Sequence, residues 1–241
     1  MTFHIRAAVA AIALAVSGSA ATSATFDLTS GLTGRDYNTA TNGGVSVSAD
    51  GINLTVGGAR CEAGNCAGTV AATDIQRWEN GIGLKASGTY EFFNGWRYSD
   101  SHQVDGNNYL PGKRFDEMVT LAFDRVVSLT SLAFSYVEAK NDEFAVWGRN
   151  DNVWSLLSGP TFIDETTTPG VHRPGEKAVG SLFGDAFAIA TTDKNDAWKL
   201  RAVTAMPVVA QPPAPVPLPA GGALLIGGLA ALGMVRSRRK A

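Results

Sequence analysis

The chain has 241 residues, with 20 basic and 22 acidic side chains and a formal charge of −2. Charged residues make up 17% and glycine contributes 27 positions, against averages of about 25% charged and about 7% glycine. Two cysteines and three histidines exclude cysteine-rich zinc centres, iron–sulfur clusters and multi-disulfide scaffolds. No basic stripe lies inside the chain, which argues against a nucleic-acid partner.

Residues 1–24 read as a secretory signal. His4 and Arg6 precede the apolar run 7–16, and the small residues Thr22 and Ala24 suit cleavage before Thr25, with cleavage after Ala21 the second choice. Ten apolar residues make about 15 Å of helix, short of the hydrocarbon core of about 30 Å. The segment therefore reads as a signal helix to be removed, with the Sec translocon and signal peptidase as its partners.

Residues 25–205 form the body, and their pattern is that of strands. Segments 45–49 and 52–57 alternate with period two across Asp50-Gly51, the strongest hairpin signal in the chain. In 118–123, Met118, Thr120 and Ala122 share one face, and Val119, Leu121 and Phe123 the other. Asp124-Arg125 then reads as a turn into 126–137. Strands at 143–148 and 153–157 are joined across 149–152, and 186–192 and 197–205 across 193–196. No helical periodicity of ten residues interrupts them. The expected fold is all-β, an antiparallel β-sandwich of jelly-roll type, with 91–115 as an excursion from it. Irregular strand spacing argues against an outer-membrane barrel.

Cys61 and Cys66 enclose four residues; in an oxidising compartment a pair so close forms a disulfide, and its CxxxxC spacing is not that of a thioredoxin-like site. His102 and His172 lie in turn-rich sequence, and no Gly-x-Ser-x-Gly element accompanies them. The chain is therefore read as not an enzyme, with no catalytic residue assigned. Asp100, Asp105, Asp116, Glu117 and Asp142, with Glu143 beside the last, crowd the ends of expected strands. They are candidate calcium ligands, because calcium gathers carboxylate and carbonyl oxygens from separate loops. No other cofactor is expected. Trp96, Tyr98 and Tyr109 lie in an aromatic-rich stretch among hydrogen-bonding side chains and are candidate sugar-stacking residues. Trp147, Trp154 and Trp198 sit on regular strands and read as core or rim.

The C-terminus has three parts. Residues 206–219 hold six prolines and no charge, an extended linker. Residues 220–235 are uncharged with five glycines and read as a transmembrane helix. Residues 236–241 form a basic cytoplasmic tail, in which Arg236, Arg238, Arg239 and Lys240 act as the membrane stop. The order Val216-Pro217-Leu218-Pro219-Ala220, apolar run, basic stop resembles the VPLPA variety of PEP-CTERM sorting signals. That likeness implies an exported protein whose tail is cleaved by an exosortase-type membrane protease. It also implies passage through an inner-membrane-anchored precursor to the periplasm, cell surface or biofilm matrix. The body, more loosely, resembles exported proteins of the same kind over residues 78–148.

With the ends removed, 15 basic and 22 acidic groups remain between 25 and 205, a net charge of −7. This disfavours an acidic polysaccharide held in a basic groove. The expected function is a non-enzymatic surface or matrix protein. The alternative is a carbohydrate-binding β-sandwich module acting on exopolysaccharide.

Overall fold

A computed structural model describes residues 22–30, 38–40, 44–62, 66–67, 70–78, 81–85, 90–91, 97–98, 104–106, 108–110, 113–135, 137, 142–151, 153–163, 176–193, 196–208, 227–229 and 236. The strands in chain order are β1 (Ala24–Asp27), β2 (Asn38–Ala40), β3 (Val45–Ala49), β4 (Ile52–Glu62), β5 (Ala71–Trp78) and β6 (Gly81–Lys85). The short β7 (Tyr90–Glu91), β8 (Arg97–Tyr98), β9 (Val104–Asp105) and β10 (Asn108–Leu110) follow. The long strands are β11 (Lys113–Ser135), β12 (Glu143–Asn150), β13 (Val153–Phe162), β14 (Glu176–Ala190) and β15 (Ala197–Pro207).

One strand organises the body. β11 runs for 23 residues, and on the same edge its first half pairs with β4 and its second half with β15. β4 continues to β5, β5 to β6, and β6 reaches β15 through the pair Leu200–Ile82. The five strands β4, β5, β6, β15 and β11 thereby close into a barrel. Closure at β6 needs a glycine: Gly81 has φ +134°, and a Cβ there would lie 2.7 Å from the Leu200 carbonyl oxygen. The other edge of β11 carries β14, then β12, then β13, as a sheet extending from the barrel. All these pairings are antiparallel.

The expected two-sheet jelly roll is corrected by this closure. Asp124-Arg125 is not a turn between two strands; β11 passes through it with a register shift between Ala122 and Val127. A bulge bends a strand and raises its twist without ending it. That lets one strand serve both the β4 and the β15 sides of the barrel. Segment 193–196 likewise joins strands that are not hairpin partners, since β14 and β15 flank β11 on opposite edges. The Asp50-Gly51 hairpin does form, with φ +48° and +74° at its two central residues, as a type I′ turn requires.

Alternation along these strands divides their side chains between two clusters. The main core holds Leu54, Val56, Val119, Leu121, Phe123, Phe134, Phe144, Val146, Phe187, Ile189, Trp198 and Leu200. Its aromatic seam runs from Phe144 through Phe134 (centroids 4.7 Å apart) to Trp198 (5.2 Å). A smaller cluster on the opposite face holds Ala59, Cys61, Cys66, Met118, Trp154, Ala188 and Ala190, with Val70 and Trp147 packed on it.

The chain divides into two compact units, Met1–Val208 and Val209–Ala241. In the second, residues 227–229 and Arg236 are described and are helical. No helix among the described residues is long and apolar enough to cross a membrane. The transmembrane helix assigned to 220–235 is corrected accordingly. The inner-membrane-anchored precursor stage and the exosortase partner awaiting it depended on that helix and are corrected with it. The leader residues 1–21, the sorting-motif residues Val216–Ala220 (216–220), and Arg238, Arg239 and Lys240 lie outside the described residues.

Candidate functional site

Two regions gather the polar and aromatic residues singled out by the sequence. The first is a buried acidic belt. Asp105, Asp116, Glu117, Asp142 and Asp196 are all buried. Asp142 and Asp196 face the start of each other's following strand. Asp142 Oδ1 accepts the Ala197 N–H at 3.1 Å, and Asp196 Oδ1 accepts the Glu143 N–H at 3.0 Å. The second Asp196 oxygen accepts the N–H groups of Thr192 (2.7 Å) and Asp193 (2.6 Å) and the Thr192 hydroxyl (3.2 Å). Trp198 Nε1 donates to the Glu143 carbonyl at 3.1 Å, and Thr192 Oγ1 donates to Glu143 Oε2 at 3.0 Å. Burial raises the Asp196 carboxyl above its usual value, and the amide donors of Asp193, Thr192 and Glu143 pull the other way. Glu117 Oε2 accepts the Asp105 N–H at 3.1 Å, and Thr191 ties the backbones of both residues together through its N–H and hydroxyl.

The carboxylates of Glu117, Asp142 and Asp196 work on backbone amides. A loop crossing the end of a barrel carries N–H groups with no ladder partner, and a buried carboxylate satisfies several at once. Among the described residues, the one group of three His, Cys, Asp or Glu ligand atoms within 4.8 Å is Cys61, Cys66 and Asp116. Its two cysteines are joined in a disulfide, with Cα atoms 4.9 Å apart, and so offer no thiolate. The candidate calcium ligands Asp105, Asp116, Glu117 and Asp142 therefore form no three-carboxylate site among the described residues. Asp100 lies outside them.

The second region is the outer face of the barrel wall and its extension. Register places Gly57, Thr120, Ala188, Trp147 and Leu156 in one row across β4, β11, β14, β12 and β13. Adjacent strands lie about 4.8 Å apart, so the row is about 19 Å long. Gly57, Thr120 and Trp147 are half-buried, Ala188 is buried and Leu156 is exposed. The floor stays low because of Gly57: a Cβ there would come within 2.7 Å of Thr120 Oγ1. Beyond Ala188 the floor gives way to a wall. Trp147 packs on the small cluster, of which the buried Trp154 is a member, and the Arg149 guanidinium lies over the Trp154 ring at 5.8 Å. Thr55 and Ser46, one row away, join hydroxyls at 3.3 Å. The partly exposed Trp147 thus shares its row with the Thr120 hydroxyl two strands away and lies two residues from the exposed Arg149 on β12.

Sequence reasoning placed sugar stacking at Trp96, Tyr98 and Tyr109. Trp96 lies outside the described residues. Tyr98 and Tyr109 are described as backbone in β8 and β10, opposite Tyr90 and Arg114. Trp147, Trp154 and Trp198 lie in core or rim as read from their strands: Trp198 in the main core, Trp154 buried in the small cluster, and Trp147 packed partly buried on it; that Trp147 shares a row with Thr120 and Gly57 was not read. The signal was present: in EFAVWG, Phe144 and Val146 alternate with Ala145 and Trp147, so one of the two faces holds a lone large ring beside an alanine. Asp196 was also missed, although an acid just before a strand is the usual place for a side chain that caps loop amides. No family model, no curated protein and no solved structure matches the chain.

Proposed function

We propose that this chain is a non-enzymatic carbohydrate-binding β-domain, and that its binding face is the Gly57–Thr120–Ala188–Trp147–Leu156 row. The observation that carries the reading is Trp147, a large ring left partly exposed on a sheet face, with Ala188 and Leu156 beside it and Thr120 and Gly57 farther along the same row. A pyranose ring stacks its C–H face on such an indole and meets the Thr120 hydroxyl and the Arg149 guanidinium at its edges. The net charge of −7 over 25–205 favours a neutral glycan over an acidic one. Three of the buried acids, Glu117, Asp142 and Asp196, hold backbone amides of other segments, a structural use of their carboxylates that supports binding without turnover.

The test is affinity electrophoresis and calorimetry on neutral and acidic polysaccharides. The expected result is binding to a neutral polysaccharide that Trp147→Ala weakens by about tenfold or more, given that stacking of one ring is worth about 1–3 kcal/mol. Equal binding by wild type and Trp147→Ala would overturn the assignment of the face.

A further inference from the structure

The small outer cluster brings together three donor side chains that glycan binding leaves unused. Asp116 on β11 lies opposite Cys61 on β4 in register, so both point to the same side of the sheet. The Sγ atoms of Cys61 and Cys66 and a carboxylate oxygen of Asp116 all lie within 4.8 Å of one another. All three residues are buried. Cys61 and Asp116 are 55 residues apart in the chain, and the Asp116 carbonyl oxygen is 3.6 Å from Cys61 Sγ. The folded barrel therefore delivers a distant carboxylate to a local cysteine pair. Four residues separate the two cysteines, within the spacing of about two to four by which neighbouring cysteines chelate zinc. As a disulfide the pair closes a ring with a sequence separation of only 5, and short rings restrict the unfolded chain least. Opening it leaves β4 and β11 paired from Phe115–Glu62 to Phe123–Leu54.

We propose that Cys61, Cys66 and Asp116 form a redox-gated site for a divalent cation of the zinc class. With the disulfide closed, neither sulfur is a thiolate and the site takes no cation. A dithiol supplies two electrons and two protons, becomes a cyclic disulfide, and opens the S–S bond to two thiols. The cation then takes both sulfurs as thiolates, with release of two protons, and a carboxylate oxygen of Asp116 as its third ligand. Ligand atoms around a tetrahedral zinc stand about 3.3–3.8 Å apart, a spacing inside the 4.8 Å that already bounds the three donors. A water oxygen, or the nearby Asp116 carbonyl, fills the fourth position. Two sulfurs and one carboxylate suit zinc and not calcium, which gathers about six to eight oxygens. The site thus differs in kind from the calcium cluster expected of the strand-end acids.

The full chain, reduced with a dithiol and freed of it under inert gas, is titrated with cobalt(II) as a coloured stand-in and then with zinc. The expected result is one cobalt per reduced chain with sulfur-to-cobalt charge-transfer absorption, bleached by one equivalent of zinc. The oxidised chain should show none of that absorption, and Cys66→Ser should abolish it. Asp116→Asn should weaken zinc by about tenfold or more, since even an outer partner of a metal ligand is worth about 10–100-fold. Circular dichroism checks that the reduced chain and the variant keep their strands. Should Asp116→Asn not fold, the wild-type reduced chain is compared folded and unfolded in urea, where only the local cysteine pair remains to chelate. The folded chain should bind zinc about tenfold or more tightly. Equal affinity in Asp116→Asn and wild type, or in the folded and unfolded reduced chain, overturns the proposal. So does the same absorption in the oxidised chain, or none in the reduced one. A reduced chain that loses its strands and does not regain them with zinc overturns it too.

Discussion

On the first half of β11, Val119, Leu121 and Phe123 enter the main core, while Met118, Thr120 and Ala122 face the other way. The same division continues across β14, where Phe187 and Ile189 oppose Ala188 and Ala190, and across β12, where Phe144 and Val146 oppose Ala145 and Trp147. The inner face is built of large residues that are nearly all fully buried, so removing any of them opens a cavity. The outer face mixes small residues (Ala59, Ala188, Ala190) with Met118 and the indoles of Trp147 and Trp154, and packs a second, smaller buried cluster. Stability is thus weighted toward the inner side of each strand, and the outer side is part small core, part surface.

The largest effect expected from this contrast is on the inner side. Phe134→Ala removes the ring between Phe144 and Trp198 and should cost about 3–5 kcal/mol in denaturant unfolding, with glycan binding retained wherever the variant stays folded. Next comes Asp196→Asn, which leaves some of the four donors on its two oxygens without a partner and should cost about 1–3 kcal/mol.

The pH profile sharpens the same point. Asp196 is raised above 3.8 by burial, so the folded state holds its proton more tightly than the unfolded chain. Its contribution to stability therefore grows as pH falls through its raised value toward 3.8 and shrinks as pH rises. Glu176, held below 4.5 by the Ser131 and Thr204 hydroxyls, behaves oppositely: its contribution is present above 4.5 and lost as pH falls through the lowered value. Thermal melts from pH 7 downward should show Asp196→Asn losing the first trend and Glu176→Gln losing the second. Trp147→Ala removes a partly buried ring packed on the small cluster and should cost about 2 kcal/mol, less than Phe134→Ala, although it should be the most damaging to binding.

How far the sequence carried the reading follows the same two faces. Period-two alternation located β3, β4, β12, β13 and both halves of β11, because burial on one side forces it. It did not show closure. Whether a sheet curls into a barrel depends on one bend at Asp124–Val126 (124–126) and on a single glycine contact at Gly81, and neither leaves a periodic trace. The acids were legible as strand-end residues but not as amide acceptors across the fold, since Glu143, the donor to Asp196, and Ala197, the donor to Asp142, come from segments distant in the chain. Trp147 was legible as a strand residue; that its row crosses five strands is a matter of register, which alternation within one strand does not encode. The apolar tail segment 220–235 misled, because composition alone was asked to stand for a membrane-spanning helix.

The central claim is that the outer row takes a neutral glycan, and amide and indole chemical shifts measured during titration with a neutral oligosaccharide test it most directly. The account predicts that shifts concentrate on Gly57, Thr120, Ala188 and the Trp147 indole N–H, while the Trp198 indole N–H, bonded to the Glu143 carbonyl, stays in place. Shifts confined to other surfaces, or none at saturating oligosaccharide, would contradict it.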